Sequence, residues 1–164
     1  IWLGINLLTA FLGAWVIGRF EDTIQQLVAL AILMPVVAGM GGIAGSQTLT
    51  IAIRGIALGQ IAKTNIKPLL IKELSIGILN GIFWSSIVAM VVILWFGQLS
   101  LGVIIGASMI INLVIAALAG ATIPIILKRY GIDPAIAGGV ILTTVTDVVG
   151  FVTFLGLATI FLLR

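Results

Sequence analysis

Asp147 is an acid in a place where acids are costly. It lies in a run from Pro134 to Leu163 that holds no other charged side chain. A carboxylate near the middle of a bilayer costs on the order of 3 kcal/mol on insertion scales, which makes such a residue a functional candidate by default. It stands 13 residues after Pro134 and 16 before Leu163. At ~1.5 Å per residue those lengths are roughly 20 Å and 24 Å of helix, so the acid sits near mid-membrane. Helical spacing puts Val140, Thr143, Thr144, Gly150, Phe151 and Phe154 on its face. Threonines in membrane helices usually bond back to their own helix, but beside an unpaired acid they extend a polar face. No Lys or Arg lies inside any apolar run to neutralise Asp147. Its charge is met by a mobile cation, by a proton, or by hydrogen bonds from neighbouring groups.

A second polar stretch runs from Met34 to Thr48. Pro35 lies well inside an apolar run, where it removes a helical hydrogen bond and frees a carbonyl. Small residues recur at helical spacing, Gly41 with Gly45 and Gly42 with Ser46. Two readings have equal standing: close packing between helices, or a thin helix whose exposed backbone lines a water-filled path. The stretch is not a phosphate loop, because no Gly-Lys-Ser/Thr follows the glycines.

The elements that must hold these residues are membrane helices. Of the 164 residues, 62% are hydrophobic and 8% charged, against roughly 25% charged in a soluble domain. The apolar runs are continuous and too long for the ~10-residue alternating strands of a barrel. Charges and turn residues divide the chain into spans of about 1–18, 23–53, 74–96, 102–127 and 135–163. The fold class expected is all-α, a polytopic membrane protein with five transmembrane helices per subunit in one domain covering 1–164. Spans three and four form a tight hairpin around the turn-like cluster Gly97–Gly102. Asp133 and Pro134 suit the N-cap and first position of the last helix. Pro35-x-x-Ala38-Gly39 and Pro134-x-x-Ala137-Gly138 share a pattern too short to establish a repeat.

Arg54, Lys63, Lys67, Lys72, Lys128 and Arg129 fall in loops on one side, which the positive-inside rule makes cytoplasmic. The N terminus is then cytoplasmic and the C terminus external, in a multi-pass protein of the cell (inner) membrane. The net charge of +3 reflects this topology rather than nucleic-acid binding. The three lysines set topology or touch anionic lipid. Glu73 opens span three, where its charge suits the helix dipole. Glu21 and Asp22 form a solvated external pair. Asn80 and Asn112 bond between helices. Trp2, Trp15, Trp95 and Tyr130 lie near span ends, as interfacial aromatics do. The chain has no Cys and no His, which removes disulfides, thiolate ligands and the usual general base. Nothing in it suggests an enzyme. It opens at Ile1 without a basic n-region, which is expected of a piece of a longer protein without a signal peptide.

Two stretches carry a family resemblance. Gly39-Met40-Gly41-Gly42-x-Ala44-Gly45-Ser46-Gln47-Thr48 with Arg54-Gly55 resembles the second-helix signature of the MgtE family of magnesium channels and transporters. Asp133-Pro134-Ala135 and Thr143-Thr144-Val145-Thr146-Asp147-Val148-x-Gly150-Phe151 resemble its fifth-helix signature. The resemblance implies a homodimer in the lipid bilayer with a pore between subunits, lined by the second and fifth helices. The lining positions are then Gly39, Gly42, Ile43 and Ser46 on one helix and Gly139, Val140, Thr144 and Gly150 on the other. It implies that Mg2+ is the transported ion, bound in hydrated form by Asp147 with the carbonyl of Thr143. It also implies an N-terminal cytoplasmic sensing domain and plug helix, which this chain lacks. One position departs from the pattern: Ile43 stands where the family usually has asparagine, toward the cytoplasmic end of the pore. Two alternatives remain open. One is a proton-coupled transporter with Asp147 as carrier; the other is a non-transporting membrane assembly module.

Overall fold

A computed structural model describes residues 1–61 and 65–162. Lys63, Leu163 and Arg164 lie outside the described residues. The described chain forms α1 (Trp2–Gly18), α2 (Glu21–Gln26), α3 (Ala29–Ala57), α4 (Ile66–Phe96), α5 (Leu99–Arg129) and α6 (Pro134–Leu162). The protein is an all-α polytopic membrane protein. Helices α3 to α6, at 29 to 31 residues, are long and apolar enough to cross a membrane, and α1 is a shorter apolar helix of 17 residues. Large side chains such as Leu7, Phe11, Leu79, Phe83 and Leu94 are exposed on the outside of the bundle, where a bilayer supplies their solvent.

Several boundaries differ from those expected of the sequence. The run 23–53 is not one helix. Residues 21–26 form the short α2, the chain breaks at Leu27 in an extended conformation, and α3 then runs on past Arg54. Glu21 and Asp22 therefore occupy the first turn of α2 rather than a loop. The Thr23 hydroxyl shares a 2.8 Å hydrogen bond with that of Thr159, tying α2 to α6. Helix α4 starts at Ile66, not residue 74, so Lys67, Lys72 and Glu73 are helical. Three charges did not stop the helix: Lys67 and Lys72 are exposed on its first turns, and Glu73 is covered by neighbouring helices. Glu73 is not at the helix start but within it, and it is buried. Lys128 and Arg129 likewise belong to the last turn of α5. The Lys128 ammonium donates to the Ile56 carbonyl at 3.4 Å, a favourable place for a cation at the C-terminal end of α3.

Helix α5 is the scaffold. It packs against α3, α4 and α6, while α4 rests almost wholly on α5 and α1 on α6. Lipid tails are as apolar as Leu, so such contacts come from close approach rather than from a hydrophobic force. Small residues permit that approach. On the α4–α5 hairpin, a Cβ on Gly77 would lie 3.0 Å from Ala117 Cβ, and one on Gly81 3.3 Å from Ile110 Cα. The hairpin turns at Gly97 and Gln98 alone, with Gly97 at φ +68°, a conformation that glycine adopts without a Cβ penalty. On the α3–α5 side, Gly45 and Gly120 bring two backbones together. Asn112, 1% exposed, donates from Nδ2 to the Val37 carbonyl at 2.9 Å. Asn80 makes no such bond among the described residues; it is exposed in an opening between α3 and α4. The two Pro-x-x-Ala-Gly stretches are not equivalent: Pro35 is interior to α3, and Pro134 opens α6.

Gly120→Ala tests the scaffold. Its Cβ would meet the Gly45 carbonyl oxygen at 2.6 Å and the Leu49 nitrogen at 3.1 Å, both backbone atoms. Overpacking of this kind costs about 1–3 kcal/mol, so the thermal midpoint in detergent falls. Gly4→Ala, where a Cβ meets nothing within 4 Å, leaves the midpoint unchanged or raises it. Equal behaviour of the two variants would contradict the packing described.

Candidate functional site

The buried stripe of α3 runs through Leu33, Val37, Gly41, Gly45, Thr48 and Ala52. That of α6 runs through Gly138, Leu142, Thr146, Gly150 and Phe154. Both stripes face α5 and each other. The residues one step round each helix are left open, and they form a groove of about 790 Å³ along the outside of the α3–α6 pair. From α3 it is lined by Ala38, Gly39, Gly42, Ile43, Ser46, Gln47, Thr50 and Ile51, and from α6 by Thr143 and Asp147. The two readings of the α3 glycines therefore apply to different glycines. Gly41 and Gly45 serve packing: a Cβ on Gly41 would collide with the Asn112 side chain, and one on Gly45 would lie 2.9 Å from Leu142. Gly39 and Gly42 keep the groove open, since a Cβ on Gly39 meets nothing within 4 Å.

Six residues singled out in the sequence thus come together: Gly39, Gly42, Ile43, Ser46, Thr143 and Asp147. Four do not line the groove. Gly150 is buried, and a Cβ there would lie 2.9 Å from Asn112 Nδ2, so it belongs to the packing of α6 on α5. Gly139, Val140 and Thr144 are partly buried beside the groove; Thr144 donates to the Val140 carbonyl at 2.7 Å. Phe154, expected on the Asp147 face, is fully buried in the core. Asp133 Oδ1 accepts the Ala135 N–H at 2.9 Å, and Pro134 is the first residue of α6. Thr50 joins this lining, as the spacing 39, 43, 46, 50 of one helical face allows, and so does Gln47 of the second-helix signature.

The carboxylate of Asp147 makes no hydrogen bond and no ion pair among the described residues. It lies 13 residues from the start of α6 and 15 from its end. The Thr143 hydroxyl donates to the Gly139 carbonyl at 3.0 Å, which leaves its oxygen lone pairs as acceptors. The Thr143 carbonyl already accepts the Thr146 hydroxyl at 3.1 Å. The groove therefore presents one anionic acceptor, hydroxyl oxygens and an amide. Around these polar groups the lining is mostly apolar, with Ile43 62% and Ile51 66% exposed. Such a surface suits a ligand that is positively charged and brings its own hydrogen-bond donors, as the water shell of a cation does.

Residues 34–157 match the model of the MgtE family, described as divalent cation transporters. The chain belongs to the MgtE family. Its relatives include proteins named magnesium transporter MgtE from Bacillus subtilis (37% identical), Thermus thermophilus (32%) and Enterococcus faecalis (30%). Each match covers 98% of this chain but 36% of the relative's length. The matched MgtE segment contains the whole groove lining, from Ala38 to Asp147.

A water-filled groove is detectable by cysteine chemistry, and this chain supplies none of its own. In an otherwise cysteine-free background, Ser46→Cys, on the exposed face, reacts with a charged methanethiosulfonate reagent. Thr146→Cys, at a position with 0% exposure, reacts at least about tenfold more slowly. Equal rates would mean that the groove is not the aqueous face.

Proposed function

We propose that this chain is the pore-forming membrane domain of a magnesium transporter, in which hydrated Mg2+ passes along the α3–α6 groove and binds at Asp147. The observation that carries this reading is the Asp147 carboxylate, unpartnered among the described residues, at mid-helix in an open groove. That the relatives are named magnesium transporters supports Mg2+ as the ion.

The physical balance is favourable. Mg2+ gives up its waters reluctantly and usually keeps several, so a site for it must accept hydrogen bonds from water rather than replace the shell. A divalent ion one water layer from a carboxylate, about 5 Å away, is attracted by roughly 7 kcal/mol at an effective dielectric of 20. That exceeds the ~3 kcal/mol insertion cost of the acid. The ion thus keeps Asp147 ionised and Asp147 holds the ion. Open along one side, the groove becomes a closed path when a second copy of the chain faces it across a two-fold axis. Two Asp147 carboxylates then face one ion and match its charge. The Thr143 and Ser46 oxygens accept from its waters. Selection against larger divalent ions follows from the fit of the path to the hydrated shell. The basic ends of α3, α4 and α5 face the cytoplasm, and the N terminus leads to a cytoplasmic sensing domain in the intact protein.

Asp147→Asn keeps size and removes charge. In liposomes, Mg2+ influx through the intact protein falls at least about tenfold, because loss of a desolvated charge contact is worth well over 1.4 kcal/mol. Asp147→Glu retains part of it. Unchanged Mg2+ flux in Asp147→Asn, or flux driven by a proton gradient without a divalent ion, would overturn this reading.

A further inference from the structure

Helix α3 has two open flanks. One faces the Asp147 groove. The other faces a cleft toward α4, which leans on α5 rather than on α3. Two adjoining hollows of about 170 and 250 Å³ fill this cleft and share Gln47, Asn80, Ala44 and Leu113. Glu73 lines the smaller one and is only 6% exposed. Its Oε2 accepts the Thr48 hydroxyl from the opposite wall at 3.2 Å. Lys72 lines the same hollow, yet no Lys or Arg among the described residues forms an ion pair with Glu73. An ion this deeply buried costs several kcal/mol unless it is paired or fully hydrogen-bonded. One neutral hydroxyl does not meet that cost.

The geometry points to a second site, for a hydrated divalent cation, in the α3–α4 cleft, with Glu73 as its anionic acceptor and the amide oxygens of Gln47 and Asn80 as neutral ones. The smaller hollow has room for about five or six waters at ~30 Å³ each. That is the scale of the octahedral shell of a small divalent ion that keeps most of its waters. Carboxylate and amide oxygens both accept from such waters. Glu73 is seven residues into α4, about 10 Å from the helix start, so the cleft lies close to the end of the bundle where Lys67, Arg54 and Lys128 stand. Gln47, Ile43 and Ile51 line both the cleft and the groove, so the two openings meet on the outer face of α3. The site stands on the surroundings of Glu73 alone and holds whether or not Asp147 binds the ion.

The test is anomalous diffraction from the intact protein crystallised with millimolar Mn2+ as the probe. A peak is expected beside the Glu73 carboxylate. It persists in Asp147→Asn and disappears in Glu73→Gln, a variant that still offers Thr48 an amide oxygen to bond. Absence of a peak beside Glu73 in the unmodified protein overturns the proposal, and so does a peak that survives Glu73→Gln. A peak beside Glu73 with none at Asp147 supports this site while removing support from the Asp147 reading, so the two failures are distinct.

Discussion

A charge placed at mid-membrane must be balanced, and this chain does not balance Asp147 from within. No basic residue lies in the apolar runs, and no described side chain bonds to the carboxylate. Everything else about the groove follows from that imbalance. As the proposed magnesium site, the acid needs an open space in front of it, a cation to fill the space, and neighbours that accept hydrogen bonds rather than compete for the carboxylate. The intrahelical bonds of Thr143 and Thr144 meet the last need, because their protons are already spent on Gly139 and Val140.

The open space depends in turn on α5. Its small residues let α3, α4 and α6 settle against one central helix, and the backbone contact at Gly45 and Gly120 fixes how deeply α3 sits. With Gly41 and Gly45 turned inward, helical geometry turns Gly39, Gly42 and Ser46 outward beside Asp147. One glycine-rich stretch thus builds both the packed interface and the open face. The same placement of α3 leaves its other flank apart from α4, where Glu73 and Thr48 meet across the cleft.

Much of this was legible in the sequence because a membrane writes strong rules. Continuous apolar runs, Gly97, and the Asp133-Pro134 pair marked helices and turns. The isolation of Asp147 marked the groove. Charge does not always mark a helix boundary. Lys67, Lys72 and Glu73 are helical, and Glu73 is buried where it meets Thr48, 25 residues earlier in the chain. The break at Leu27 falls inside a run with no charge to announce it. Gly150 differs for a tertiary reason. Its spacing from Asp147 suggested a shared face, but the tertiary partner Asn112 draws it inward.

The central claim is that two copies of this groove share one ion. A tandem-linked dimer of the intact protein, carrying Asp147→Asn in one copy only, tests it through Mg2+ flux in liposomes. If the two carboxylates serve one path, flux falls far below half of the unmodified tandem and approaches that of the double variant. Retention of half the flux would show that each chain conducts alone and would contradict the shared site.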